Sequence, residues 1–335
     1  MRIGIDLGGT KTEVICLDRN NGKELYRHRV PSPRDDYQKT IENIQHLVEE
    51  AENTLGQKGT VGIGIPGTIS AVTGLVKNAN STWLNNHPLD KDVGALLDRE
   101  VRTQNDANCF AVSEAVDGAG AGKKIVFGII IGTGSGAGVV IDGKPLSGLN
   151  GIGGEWGHNV LPMPRVFSKQ PDKLDKIFDH DGRFTEVKQA GVRFFTDDLA
   201  TNEYPGPECY CGKRGCIETW VSGTGFKNDY QRVTGENLST HDVIANMREG
   251  EPKAVAAFNR YVDRMARALS GVMNVIDPDV VVLGGGMSNI NELYTEIPKV
   301  WNKYIFSDTV ETKIVPPRHG DSSGVRGAAW LWNDE

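Results

Sequence analysis

Several absences narrow what this chain of 335 residues can be. No apolar run approaches the ~20 residues that cross a bilayer, so no membrane anchor is expected. Positive charge is in deficit, with 37 Lys and Arg against 44 Asp and Glu and a net charge of −7. A general grip on nucleic acid needs a basic face, so none is expected. Cysteines number only five, and three of them fall between positions 209 and 216. That is not a secreted disulfide framework, and a reducing cytoplasm is the expected compartment. Met1-Arg2 runs straight into a strand pattern, so no signal peptide is expected. The glycosylation-like triplets at Asn80 and Asn237 are therefore discounted.

Glycine, by contrast, is abundant and organised. Ile3-Gly4-Ile5-Asp6-Leu7-Gly8-Gly9-Thr10-Lys11-Thr12 runs on into Glu13-Val14-Ile15-Cys16. Phe127-Gly128-Ile129-Ile130-Ile131-Gly132-Thr133-Gly134-Ser135-Gly136 runs on into Ala137-Gly138-Val139-Val140. Each glycine turn has β-branched residues on both sides, which predicts a hairpin. Neither opens a helix, which excludes the Rossmann fingerprint, and Gly9-Thr10-Lys11 breaks the Walker order. Glycine lets backbone approach a ligand closely, and successive N–H groups in such turns line an anion site. Two such turns, one in each half, predict two similar lobes holding one polyphosphate. Asp6 suits a magnesium ion held through water. The plain alternative is a pair of ordinary tight hairpins.

Tyr37, Ile41, Ile44, Val48, Ala51 and Leu55 recur at helical spacing, with Asp35 or Asp36 as cap and Gly56 as stop. Val61–Ile65 reads as a buried strand. A short helix around Val93–Leu97 and a strand over Val101–Gln104 lead to Asn105-Asp106 and a helix over 107–115. Gly118–Gly122 reads as a hinge. A long helix covers Pro252–Ile276, followed by a strand over Val280–Leu283, Gly284-Gly285-Gly286 and two further helices. The whole is a mixed α/β chain. Residues 162–207 do not fit this pattern and read as a lid, an interface arm or a partly ordered loop.

Cys209-Tyr210-Cys211-Gly212-Lys213-Arg214-Gly215-Cys216 packs three thiols into a glycine-hinged loop, which suits tetrahedral zinc. The candidate fourth ligand is His158, in Gly154-Glu155-Trp156-Gly157-His158. Three thiolates and one imidazole close the shell, so this zinc is structural rather than catalytic. Cys16 and Cys109 read as core residues.

Taken together, these motifs resemble the ROK family (repressors, open reading frames, kinases) over nearly the whole chain. Asp6–Lys11 and Ile131–Gly134 are similar to its two phosphate motifs. The Glu155–His158 stretch and Cys209-x-Cys211-Gly212-x-x-Gly215-Cys216-x-Glu218 are similar to its signature and zinc motifs. Lys77–Asn85 and His319–Gly327 resemble the bacterial fructokinases of the manno(fructo)kinase type.

The resemblance implies an actin-like ATPase (ribonuclease H-like) fold with a central cleft. One lobe would comprise residues 1–117 and 318–335, the other 118–317. It implies ATP and Mg²⁺ at Asp6, Gly8, Gly9, Thr10, Lys11, Thr133, Gly134, Gly284, Gly285 and Gly286. It implies Asp106 as general base, with Asn80, Asn105, Glu155, His158 and Glu218 around a sugar. His158 would serve both zinc and sugar, one ring nitrogen each. The implied reaction is transfer of the γ-phosphate to the 6-hydroxyl of fructose, with mannose as a further substrate. N-acetylhexosamine kinase and glucokinase are the alternatives. The family also contains sugar-responsive repressors with a DNA-binding region ahead of the first hairpin; here nothing precedes Arg2-Ile3-Gly4, which disfavours that class. A homodimer is expected. Without the resemblance, Asp106 reads more readily as a helix cap than as a base, Glu155 as a loop carboxylate, and Trp83 as either a sugar platform or a core edge.

Overall fold

The computed structural model describes residues 1–165, 176–178, 184–186, 201–320 and 323–332. The first half runs β1 (Arg2–Leu7), β2 (Lys11–Leu17), β3 (Glu24–Pro31), α1 (Tyr37–Leu55), β4 (Thr60–Ile65), β5 (Thr68–Ile69), β6 (Val76–Lys77), α2 (Leu89–Leu97), β7 (Val101–Asn105) and α3 (Asp106–Val116). The second runs β8 (Ile125–Ile131), β9 (Ser135–Ile141), β10 (Lys144–Pro145), β11 (Lys176–Phe178), β12 (Phe184–Glu186), α4 (Glu218–Val221), α5 (Gly223–Thr234), α6 (Thr240–Arg248), α7 (Pro252–Ile276), β13 (Val280–Gly284), α8 (Leu293–Trp301), β14 (Lys313–Val315) and α9 (Ser323–Ala329).

Two five-stranded sheets repeat one plan, β3-β2-β1-β4-β7 and β10-β9-β8-β13-β14. Each begins with an antiparallel glycine hairpin, β1/β2 or β8/β9. Each continues through two parallel pairings, β1/β4/β7 or β8/β13/β14. The hairpin repeat is thus a repeat of whole sheets. Local signals hold where they were read. Asp36 caps α1 by accepting the Lys39 N–H at 3.0 Å, and Gly56 ends it with φ 65°.

Helices α3 and α9 pack on one another and on different sheets. The α3 helix follows the last strand of the first sheet but packs on β8 and β9 of the second. The α9 helix packs on β1 and β4 of the first. Glycine makes this contact possible: a Cβ on Gly327 would sit 1.6 Å from the Cys109 carbonyl oxygen. Buried Ile15, Leu17, Phe110, Val112, Val126, Val140, Val282 and Val325 form one core running between the sheets. The carboxylate of Glu114, fully buried, ties the ends of this helix pair together. It accepts the Ala119 and Arg318 N–H groups at 2.8 and 3.0 Å and the Ser323 hydroxyl at 2.8 Å. The 118–122 segment is a tight turn at the end of α3. Nearer the cleft, Lys77 Nζ donates to the Asn150 carbonyl at 3.0 Å, and Gln104 Nε2 to Ser147 Oγ at 2.8 Å.

No helix among the described residues is long and apolar enough to cross a membrane. Most of the 162–207 insertion lies outside the described residues. Its edges are held: Arg165 donates to both Asp263 oxygens at 3.1 and 2.8 Å, and buried Glu203 meets Arg264 and Arg267, each at 2.8 Å.

Candidate active site

The strand β7 ends at Asn105 because that residue caps α3. Its Oδ1 accepts the Ala107 N–H at 3.0 Å. Asp106 is therefore the first helical residue, and its Oδ1 accepts the same N–H at 2.7 Å. Across from it, a Cβ on Gly134 would stand 2.7 Å from Glu218 Oε2, which accepts the Ser135 N–H at 3.0 Å. Only glycine leaves that carboxylate its place against the second hairpin.

A cleft of about 310 Å³ lies between these elements. Asn80, Asn105, Asp106, Glu155, His158 and Glu218 all line it, together with Thr133 and Gly134. Six residues scattered over nearly 140 positions thus meet in one cleft. Asp6 belongs to the same electrostatic neighbourhood. Burial first, then the charges of Asp106 and Glu13, push its carboxyl up to about 7 against the opposing Arg29. An acid so crowded by carboxylates fits a divalent cation. Gly8 N donates to the Lys11 carbonyl at 3.0 Å, closing the first turn, and Thr10 and Lys11 are exposed on it. Burial also raises Asp106; its own helix N–H opposes the shift and Glu155 adds to it.

The four candidate zinc ligands meet despite the long separation between His158 and Cys209. The 158–161 segment runs alongside 215–217: Leu161 N donates to the Gly215 carbonyl at 2.9 Å, and Ile217 N to that of Asn159 at 2.8 Å. The ligand atoms of His158, Cys209, Cys211 and Cys216 all lie within 4.8 Å of one another. Cys211 and Cys216 sulfurs are 3.6 Å apart, as are Cys209 Sγ and His158 Nδ1. Bonds of ~2.3 Å at tetrahedral angles place sulfurs about 3.8 Å apart, so these residues fit zinc. With Nδ1 turned to this cluster, His158 Nε2 faces Tyr210 Oη at 2.9 Å and a Glu155 oxygen at 4.0 Å.

A second cavity, of about 570 Å³, continues past Thr133 between α5, α6 and the start of the 286–290 turn. Ile244, Met287 and Ile290 give it apolar walls; Lys227 and Arg248 stand among its lining residues. Gly286 lines it. Gly284 and Gly285 lie behind, where a Cβ would strike the Phe110 ring at 2.5 Å or the Ile131 carbonyl oxygen at 2.5 Å. Their missing side chains serve packing.

Trp83 closes a core edge: its indole N–H donates to Thr40 Oγ1 at 3.2 Å and its ring packs on the first-sheet core. No motif marks Tyr210, although it lies between two candidate metal ligands, Cys209 and Cys211, and lines the cleft. That flanking position was the available signal, because a ligand on each side fixes the residue between them.

A sequence model of the ROK family matches residues 2–335. The chain is 39% identical over 331 residues to the N-acetyl-D-glucosamine kinase of Yersinia pseudotuberculosis serotype O:1b (strain IP 31758), covering 99% of this chain and 98% of that protein. It is 37% identical over 332 residues to the enzyme of the same name from Escherichia coli O127:H6, covering 99% of each. The ROK hexokinase of Thermus thermophilus superposes with a TM-score of 0.77 at 26% identity, over 98% of this chain and 97% of that one. The duplicated sheets are those of the actin-like ATPase fold, and the chain belongs to the ROK family.

Proposed function

We propose that this chain is an ATP-dependent sugar kinase that phosphorylates N-acetylglucosamine on its 6-hydroxyl. The convergence of six hydroxyl-binding candidates on one cleft, beside a glycine turn suited to phosphate, carries the kinase reading. The choice of sugar rests on relatives of 37–39% identity, aligned over almost their full length, that carry the name N-acetyl-D-glucosamine kinase. This reverses the order of expectation from the fructokinase-like segments, which concern 77–85 and 319–327 only.

In this reading Asp106 accepts the 6-hydroxyl proton as that oxygen attacks the γ-phosphorus and the bond to the ADP oxygen breaks. A loose phosphoryl transition state leaves the protein chiefly positioning and charge stabilisation to perform. Asn80, Asn105, Glu155, His158 and Glu218 hold the ring hydroxyls, while backbone N–H groups at 8–11 and 132–134 face the phosphates. The adenine moiety enters the cavity lined by Met287 and Ile290. Magnesium arriving with ATP supplies countercharge, and Asp6 is the residue that would hold it. His158, Cys209, Cys211 and Cys216 are the residues that would hold zinc, which would stiffen the loop that presents Tyr210 and fix the His158 tautomer.

A coupled ADP-release screen over N-acetylglucosamine, glucose, mannose and fructose tests this. The expected result is the highest kcat/KM on N-acetylglucosamine. A higher value on fructose would restore the fructokinase assignment, and no turnover of any hexose by zinc-loaded, folded protein would remove the kinase reading itself.

A further inference from the structure

The edge strand of the first sheet, β7, ends one residue before Asp106. Gln104, its penultimate residue, has its whole side-chain amide committed there. Its Oε1 accepts the Asn105 N–H at 2.9 Å and an Asn108 Nδ2 hydrogen at 3.0 Å. One of those donors is a backbone N–H, so the amide cannot be turned over and Nε2 is left to donate. It donates to Ser147 Oγ at 2.8 Å, on the loop that follows β10 of the second sheet. Asn105, Asp106 and Asn108 line the sugar cleft, whereas Gln104 and Ser147 do not.

The loop carries that contact to Glu155 with little slack. Gly153 N donates to the Ser147 carbonyl at 2.9 Å, and Glu155 N to that of Ile152 at 3.1 Å. Gly154 takes φ 96° and lies so close to β9 that a Cβ would stand 2.3 Å from the Ala137 carbonyl oxygen. Just beyond Glu155 the Trp156 ring is buried, edge-on to Phe127 at 5.7 Å. One side chain therefore joins the residues that bracket Asp106 on one sheet to the loop that presents Glu155 on the other. We infer that Gln104 is a positioning residue for phosphoryl transfer, holding the two walls of the cleft in the register in which Asp106 and Glu155 face one sugar. This rests on the reading given under Proposed function.

Lys77 also bridges these walls, from Nζ to the Asn150 carbonyl, but its donor sits at the end of a flexible stem in an exposed contact. Gln104 differs in that both ends of its short amide are fixed. At the Ser147 end the tie acts on binding. With it made, the free protein already holds its sugar-binding groups together. With it cut, the share of molecules in that register falls, and the apparent sugar affinity falls by the same factor while the assembled complex turns over as before. The other end acts on turnover. Asn105 and Asn108 lie beside the base, where a misplacement of about 1 Å costs on the order of 10²-fold.

The test measures kcat and KM, and the sugar's Kd by calorimetry, in Ser147→Ala, Gln104→Met and the double variant, using the hexose that the parent turns over best. Ser147→Ala cuts only the tie. It should raise the sugar's KM and Kd about 2–10-fold, the size of one net hydrogen bond, with kcat within about twofold of the parent. Gln104→Met keeps the side chain's length and removes all three bonds, so kcat should fall too, by about tenfold or more. The double variant should match Gln104→Met, because the tie is already cut. A merely structural role would lower the folded fraction, and so the apparent kcat, while leaving KM in place; a thermal melt measures that fraction. Parental KM and Kd in Ser147→Ala overturn the inference alone, as does a double variant that falls by the product of the two singles. Should Gln104→Met fail to fold, the KM and Kd of Ser147→Ala decide by themselves. A parent that turns over no hexose overturns the kinase reading and this inference with it.

Discussion

Asp106 stands one residue beyond the Asn105 cap, and both side chains accept the Ala107 N–H while both line the cleft. Asn105 satisfies the helix end, and the neighbouring carboxylate lines the cleft. Asp106→Asn keeps the shape and removes the proton acceptor. It should lower kcat by about 10²–10⁴-fold with little change in the sugar's KM; a variant with near-normal kcat would show that another group is the base. Burial, reinforced by Glu155, raises the Asp106 carboxyl above the ordinary carboxylate range. A base with a raised pKa is lost to protonation earlier as pH falls. The acid limb of kcat/KM should therefore lie above pH ~4. Glu155→Gln removes a like charge, so the limb should move to lower pH even as activity drops; a limb that stays in place would mean that Glu155 does not act on the base. At this scale the cysteine cluster was legible because its members are neighbours both in sequence and in space, whereas Asp106 on its own reads as a helix cap. Trp83 was not, since its partner Thr40 comes from another element.

Among the elements, α7 shows both the reach and the limit of periodicity. Phe258, Val262, Met265 and Leu269, spaced three and four apart, are buried. Asp263, Arg264 and Arg267 are buried too, on positions a helical wheel assigns to solvent. Their partners arrive from afar: Glu203 and Arg165 at the insertion's edges, and Asp229 on α5. Burial alone would raise Glu203, but Arg267 and Arg264 outweigh it and bring the carboxyl down to about 2. Glu203→Gln leaves two buried guanidinium groups short of a countercharge and should destabilise by about 3–5 kcal/mol in denaturant unfolding. A depressed pKa gives stability that is present above the unfolded value of ~4.3 and lost as pH falls toward 2. The gap in melting temperature between parent and variant should accordingly be wide at pH 7 and shrink between pH ~4 and 2. A gap independent of pH would mean the carboxylate's charge is not what matters. The zinc loop offers a second test. Cys216→Ser should abolish bound zinc by elemental analysis and lower the melting temperature, because structural zinc contributes to folding directly. A full zinc complement in that variant would remove Cys216 from the ligand set.

Across the whole molecule, the two sheets communicate through α3 and α9, and the contact depends on absent side chains. Gly327→Ala places a methyl against the Cys109 backbone and should cost at least about 1–3 kcal/mol, with kcat reduced because α3 carries Asp106. Unchanged stability would show that the helices can separate without loss. The chain itself determined its strands, caps, hairpin repeat and clustered cysteines, because each is written in local spacing: period two for strands, 3.6 for helices, and thiols a few residues apart at 209–216. Tertiary structure alone decided that six dispersed polar residues share a cleft, that α7 buries its arginines, and that Gln104 on one sheet meets Ser147 beside the other. Those features join residues far apart in the chain, and no local period records which distant surfaces will pack.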